Sequence, residues 1–188
     1  MPDILILTGP PGSGKSAVAE ALGERYDRVA HVQTEVLRRF VTPTGFAKPD
    51  QPERLHQYRL GVRNACALAR NFIAEHFGVI IDDIVATPEQ LSWYVQELEA
   101  AGVPVHFILL MPSLQECQRR DRERADWRAA PGRVESVYRE FEAAGAFAGA
   151  TIDSTKQTVA GTADHVQALT TAGESIVWAP ESSTDTNG

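Results

Sequence analysis

The chain begins with a strand-length apolar run, Ile4-Leu5-Ile6-Leu7. A Gly/Pro-rich stretch follows, then a helix-forming segment from Ala17 to Leu22 that Gly23 closes. The same alternation continues along the chain. Val29 to Gln33 reads as a second strand, and Glu35 to Phe40 as the start of a helix. Residues 41–52 hold Pro43, Gly45, Pro49 and Pro52, which predicts a loop, expected to act as a mobile flap. From Glu53, the residues Leu55, Tyr58, Val62, Ala65, Ala69, Phe72 and His76 recur three or four apart, the spacing of one helix face, with Gly78 as the stop. Val79-Ile80-Ile81 predicts a buried strand running into Asp82-Asp83. Thr87 and Pro88 suit the cap and first turn of a helix with the buried stripe Leu91, Tyr94, Val95, Leu98 and Ala101, stopped by Gly102. Val105 to Leu110 is the fourth strand, and Ser113 caps a charged helix reaching about Arg128. After Pro131-Gly132, Val134, Val137, Tyr138 and Phe141 mark another amphipathic helix. Ala150 to Ile152 is a short fifth strand, and Val159, Ala163, Val166 and Leu169 belong to the last clear helix.

Strands that alternate with helices predict an α/β fold with a parallel sheet covered on both faces. Ligands then sit beyond the carboxyl ends of the strands. Five segments meet there: the Gly/Pro-rich loop, Thr34-Glu35, Asp82-Asp83, Met111-Pro112 and Asp153-Ser154. One domain is expected over residues 1–170, with a flap and acceptor region at about 41–75 and a lid at about 113–140. Residues 171–188 are rich in Gly, Ser, Thr and Asn and read as a tail, largely disordered from 179, in which Ile176-Val177-Trp178 can pack back on the domain.

The Gly/Pro-rich loop carries the most specific chemistry. Gly9-Pro10-Pro11-Gly12-Ser13-Gly14-Lys15-Ser16 fits G-x-x-x-x-G-K-[ST] at every fixed position. The glycines let successive backbone N–H groups turn inward around a polyphosphate. Lys15 brings a point charge to the outer phosphates. Ser16 offers a hydroxyl to Mg²⁺ and opens a helix whose N-terminal dipole favours anions.

Composition narrows the partners. The 188 residues suffice for one domain with a substantial core, and the net charge of −7 argues against broad binding to nucleic acid or acidic membranes. Lys15 is one of only three lysines. Cys66 and Cys117 lack paired spacing, and the N-terminus has no basic signal region, so a reducing cytoplasm is expected. The longest apolar stretch, Val103 to Met111, is too short to span a bilayer.

Six further residues suit phosphoryl chemistry. Carboxylates at a strand end can hold Mg²⁺ opposite Ser16. Side chains alternate along a strand, so one of the pair faces the metal: Asp82 is assigned to it and Asp83 to the substrate side. Glu35 can accept the proton of an attacking hydroxyl, and Arg38, one turn later, can hold a polar or anionic part of the acceptor. Equally, Glu35 can be a dipole-favoured residue of a helix start with an intrahelical partner. Arg120 and Arg124 are one turn apart on the charged helix and can converge on a phosphate, with Arg133 able to join them; Glu116–Arg120 and Arg119–Glu123 also fit an ordinary salt-bridged helix surface.

Taken together, the phosphate loop, the acid-x-x-Arg after strand two, the apolar run before Asp-Asp, and Cys117-x-x-Arg120-x-x-x-Arg124 resemble the small P-loop kinases, an AAA-type or zeta-toxin-like group. Within these the chain is similar to the group containing chloramphenicol phosphotransferase and the kinase domain of polynucleotide kinase, over about residues 3–170. The resemblance implies a P-loop NTPase three-layer sandwich, a five-stranded parallel sheet in the order 2-3-1-4-5, a helical lid, Mg-ATP as donor and a hydroxyl acceptor. Glu35 takes the place of the family's catalytic Asp, Arg38 that of its substrate-side Arg, and Arg120 and Arg124 those of its lid arginines. The family usually has Asp where this chain has Glu35, and the added methylene displaces the carboxylate. Ile152-Asp153-Ser154-Thr155 looks like the family's adenine-side loop. The reading is an ATP-dependent kinase for a small hydroxylated molecule such as an antibiotic, nucleoside or sugar. Its rivals are a nucleoside monophosphate kinase and a nucleotide-dependent switch that binds a partner.

Overall fold

Residues 3–41, 52–124 and 132–181 are described in the computed structural model. The expected flap lies almost wholly outside them, as do the middle of the expected lid and the end of the tail. The elements in chain order are β1 (Ile4–Thr8), α1 (Lys15–Gly23), β2 (Val29–Gln33), α2 (Thr34–Arg38), α3 (Glu53–Ala74), β3 (Gly78–Asp82), α4 (Pro88–Leu98), β4 (Val105–Leu110), α5 (Leu114–Arg122), α6 (Val134–Ala144), β5 (Ala150–Ile152), α7 (Val159–Ala172) and β6 (Ile176–Trp178).

Five strands run parallel in the order β2-β3-β1-β4-β5, as expected. The alternation of side chains along β1 divides the core. Ile4 and Ile6 face one side, with residues of α3, α4 and α6. Leu5 and Leu7 face the other, with Val18, Ala19 and Leu22 of α1 and Ala163 and Val166 of α7. Because both faces are covered, β1, β3 and β4 are buried at every position, which is why they appear in the sequence as unbroken apolar runs.

A sixth short strand was not foreseen. β6 pairs antiparallel with the N-terminal end of β4 through Val105↔Trp178 and His106↔Ile176, on the edge whose C-terminal end carries β5. Phe107 N donates to the Ser175 carbonyl at 2.8 Å, and Ser175 Oγ lies 2.9 Å from His106 Nδ1. A three-residue strand has no periodicity to read, so its pairing was invisible in the sequence.

Two helix ends also differ. Gly78 was expected to stop α3, but the helix ends at Ala74 and Gly78 opens β3. His76 takes the left-handed position with φ 62°, His76 N bonds the Ile73 carbonyl at 2.9 Å, and Phe77 N reaches back to the Phe72 carbonyl at 2.9 Å. That is a Schellman termination, completed by an edge-on contact between the Phe72 and Phe77 rings at 5.9 Å. The charged helix α5 ends at Arg122 and not near Arg128. Its cap is as expected, with Ser113 Oγ accepting from Glu116 N at 3.3 Å, and Thr87 caps α4 by accepting from Gln90 N at 3.2 Å.

His106 makes stability depend on pH. Burial holds its pKa below the ordinary histidine value, although Asp3 Oδ2 stands 3.5 Å from Nε2 and pulls the other way. The folded state therefore disfavours the proton more than the unfolded chain does. This contribution is full above the unfolded value of about 6.5 and is lost as pH falls below it, until the folded pKa is reached. Urea unfolding at stepped pH should show the stability advantage of the wild type over His106→Gln shrinking from neutral to mildly acidic pH; a pH-independent difference would contradict this.

Candidate active site

The phosphate loop leaves the centre of the sheet between two walls that no side chain could share. A Cβ on Gly9 would collide with the Leu110 carbonyl, and one on Gly12 with the Cys117 carbonyl. Gly12 and Gly14 also take φ of 80° and 91°, which costs other L-residues. Ser13 N bonds the Pro10 carbonyl at 3.0 Å, and α1 starts at Lys15. At the loop's base, Thr8 Oγ1 accepts from Val85 N at 2.8 Å and ties it to the segment after β3. The loop is thus held in one conformation against β4 and α5.

Asp82 and Asp83 have separate surroundings. Asp82 ends β3, in register with Leu7 and Gln33. Burial pushes its carboxyl up, but the His31 hydrogen bond, the Lys15 charge and the Ser16 hydroxyl outweigh this, so the carboxyl is held below the usual range. His31 Nε2 stands 3.5 Å from Asp82 Oδ2. Asp83 instead faces a buried network. Arg38 Nη1 and Nη2 donate to its two oxygens at 2.6 Å each, and the Tyr94 hydroxyl donates to Oδ2 at 2.6 Å. Tyr58 donates to the Ile84 carbonyl at 2.8 Å, and its ring lies 4.2 Å beneath the Arg38 guanidinium. Burial lowers the affinity of Arg38 for its proton, but the Asp83 carboxylate more than reverses this, so the guanidinium stays charged. Burial, followed by the Asp83 charge, pushes the Tyr94 and Tyr58 hydroxyls well up, so both remain protonated donors. Gly61, in mid-helix on α3, is explained here: a Cβ would lie 2.8 Å from Arg38 Nε.

This network fixes α2. The helix has five residues, and its first, Thr34, is buried with Oγ1 3.3 Å from the Tyr94 hydroxyl. Its last, Arg38, is gripped by Asp83. Glu35 lies between these anchors, exposed, in the first turn.

The charged helix does two things at once. Arg119 pairs with Glu116 and Glu123, and Arg120 Nε pairs with Glu116 at 2.7 Å. Hydrogen bonds from Arg119 and then Arg120 pull the Glu116 carboxyl down to about 2. Arg120 also reaches off the helix, donating from Nη1 to the Ser13 carbonyl at 3.1 Å and from Nη2 to the Ser154 carbonyl at 3.0 Å. Arg124 lies past the end of α5, its N–H on the Asp121 carbonyl at 3.2 Å, and so is not one helical turn from Arg120 as expected. Both nevertheless line the same cavity of about 540 Å³, which runs from Gly12–Gly14 to Thr158 and Thr162. Cys117 is fully buried, and burial pushes its thiol up to about 11, so it serves as a packing wall and not as a nucleophile.

The buried polar atoms without a hydrogen-bond partner among the described residues include Ser13 Oγ, Ser154 Oγ and Gln157 Oε1. All three belong to residues lining this cavity. A glycine-walled cradle with orphaned polar atoms suits an anionic, polar ligand. His31, Tyr58, Tyr94 and Gln157 were not singled out as site residues in the sequence. Tyr94 was visible only as an apolar position, because helical periodicity does not register a hydroxyl.

A family model described as AAA domain matches residues 4–144, and the chain belongs to that family. No curated protein matches it in sequence. Among solved structures it is similar to the tunicamycin resistance protein of Deinococcus radiodurans, at 20% identity and TM-score 0.62, over 95% of this chain and 98% of that one. It is also similar to a sugar kinase from Janibacter sp. HTCC2649, at 13% identity and TM-score 0.69, covering 90% and 94%. The APS kinase of Mycobacterium tuberculosis, solved with AMPPNP and APS, matches at 17% identity and TM-score 0.64, over 90% and 97%. The fold is therefore that of the P-loop kinase group.

The buried pair yields a stability test. Asp83→Asn leaves the Arg38 charge buried without its counter-ion and should cost about 3–5 kcal/mol. Adding Arg38→Met removes the stranded charge, so the double variant should be less destabilised than Asp83→Asn alone. Denaturant titration of the three proteins checks the order.

Proposed function

We propose that the chain is an ATP-dependent phosphotransferase that moves the γ-phosphate of ATP to a hydroxyl of a small molecule such as an antibiotic, nucleoside or sugar. The observation that carries this is Arg120. Its guanidinium joins the phosphate loop at Ser13 to the loop after β5 at Ser154, across a cavity of nucleotide size. In this reading Gly9 to Ser16 hold the phosphates, Lys15 meets the outer ones, and Arg120 and Arg124 neutralise charge as transfer proceeds.

Ser16 and Asp82 form a hydroxyl-and-carboxylate pair beside Lys15, a donor set that suits Mg²⁺, which keeps water and phosphate oxygens as its other ligands. When bound there, Mg²⁺ would neutralise phosphate charge. Glu35 accepts the acceptor's proton. Arg38 and Asp83 belong to the acceptor side and hold α2 where Glu35 stands. A net charge of −7 favours a small acceptor over a nucleic-acid end. No helix among the described residues is long and apolar enough to cross a membrane, and the cytoplasm, with its supply of ATP, is the proposed compartment.

Lys15→Ala should abolish ATP consumption, screened over antibiotics, nucleosides and sugars, while circular dichroism and melting stay near wild type. Near-normal turnover in the folded variant would remove the phosphate-loop reading. Arg124→Ala should lower kcat more than it weakens ATP binding, because its contact strengthens as charge builds on the transferring group.

Glu35→Gln should cut kcat for a hydroxyl acceptor by about 10²–10⁴, the usual range for a general base, with ATP affinity unchanged. Glu35→Asp should also impair transfer if the longer side chain is matched to this pocket. Wild-type rates in Glu35→Gln would point to a phosphate acceptor or a switch.

A further inference from the structure

β2 is an edge strand of the sheet, and its side chains alternate between two settings. Val32 belongs to the core on the side of α3 and α4, and Val29 packs with α1 on the other. By that alternation His31 shares the α1 side with Val29. Its partner in register on β3 is Ile80, an apolar residue of the same cluster. An aliphatic side chain would suit such a position, whereas an imidazole there needs a polar partner.

That partner lies diagonally along β3. Asp82 is two residues beyond Ile80 and so on the same face of the sheet, a separation that a ring can span. His31 Nε2 stands 3.5 Å from Asp82 Oδ2, and the two side chains are 16% and 6% exposed. Nε2 is buried and has no shorter polar contact among the described residues. A carboxylate can only accept, so the hydrogen between the two sits on Nε2. The Ser16 hydroxyl and the Lys15 charge act on the same carboxyl from the side of the phosphate loop. Asp82 is thus held between a metal-facing side and a supporting one. The support matters because the terminal torsion of an aspartate is broad, and without a second partner the carboxylate plane is loosely set.

We propose that His31 is a positioning residue for the cation site: by donating from Nε2 to Oδ2 it fixes the plane of the Asp82 carboxylate, so that the tightening of nucleotide binding by Mg²⁺ depends on it. This rests on the reading of the phosphate loop as a nucleotide site and of Ser16 and Asp82 as its metal donors. It adds a residue that touches neither metal nor nucleotide. Removing partners that orient metal ligands in this way typically costs about 10–100-fold in metal affinity, and the long contact here corresponds to the lower end, about tenfold.

The test is calorimetric titration of the whole protein with AMPPNP, which is not turned over, in EDTA and at a series of free Mg²⁺ concentrations, all at one pH. Wild type should bind more tightly as Mg²⁺ rises. In His31→Leu the affinity in EDTA should stay within about twofold of wild type, while the gain from Mg²⁺ falls about tenfold. His31→Gln, whose amide reaches as far as Nε2, should recover most of that gain. His31→Asn, whose amide stops short of Asp82, should behave like His31→Leu and takes its place if the leucine variant fails to fold. In an Asp82→Asn background His31→Leu should have no further effect, because its route is through the carboxylate. An unchanged Mg²⁺ gain in the folded His31 variants, or the same loss with and without Asp82→Asn, overturns the proposal and leaves the nucleotide site standing. Binding of AMPPNP by wild type without any dependence on Mg²⁺ overturns the metal assignment and the proposal together. Failure of wild type to bind AMPPNP under any of these conditions overturns the phosphate-loop reading, and the proposal with it.

Discussion

The site depends on a close approach of backbones. The phosphate loop is pressed against the carbonyls of Leu110, at the end of β4, and Cys117, in the second turn of α5, at places where any Cβ would collide. Packing at this distance is possible only for glycine, and it ties three elements into one wall. With the loop held against α5, the Arg120 side chain is within reach of the Ser13 carbonyl. With β4 and β5 in register from Ile108↔Ala150 to Leu110↔Ile152, the turn carrying Ser154 comes to the same guanidinium. The cavity is thus a consequence of glycine positions and strand register, and its charge distribution follows from what those bring together.

The other half of the cleft depends on a buried charge pair. A five-residue helix such as α2 has no stability of its own. It stays in place because Arg38 and Asp83 have taken each other out of water. With the two tyrosines among its bonding partners, Asp83 is supplied with donors on both oxygens. Replacing such a pair by apolar packing can be neutral in energy, so its value lies in geometry. It sets where α2 begins and ends, and with it Glu35. Alternation along the chain does the rest: Asp82 and Asp83 are adjacent, yet one shares its surroundings with Lys15 and Ser16 and the other with Arg38.

Much of the fold was legible because it is periodic. The buried strands, the stripe Val62, Ala65 and Ala69, and the caps Thr87 and Ser113 all rest on local rules of spacing and hydrogen bonding, and all are present. The strand order is also as the motif-based resemblance implied. What escaped depends on partners distant in sequence. β6 exists only because β4 has a free edge at Val105 and His106. The end of α3 is set by a ring contact and a left-handed histidine, a position where the sequence suggested the glycine two residues later. The phosphate loop could be read because its chemistry is contiguous. His31, Tyr58 and Tyr94 could not, because each acts through a carboxylate at the end of β3 that only the fold brings to it.

The two readings of the charged helix turn out to be compatible. Glu116 pairs with Arg119 and Arg120, as on any salt-bridged helix surface. That pairing holds Arg120 by Nε alone and leaves its two terminal nitrogens facing inward on main-chain carbonyls. A carbonyl is a weaker partner than a phosphate oxygen, since charge-assisted bonds are roughly twice as strong as neutral ones. An anion entering the cradle can therefore draw the terminal nitrogens from Ser13 and Ser154 without disturbing the bond to Glu116. The ion pair that resembles surface decoration keeps the arginine extended between the Ser13 and Ser154 carbonyls.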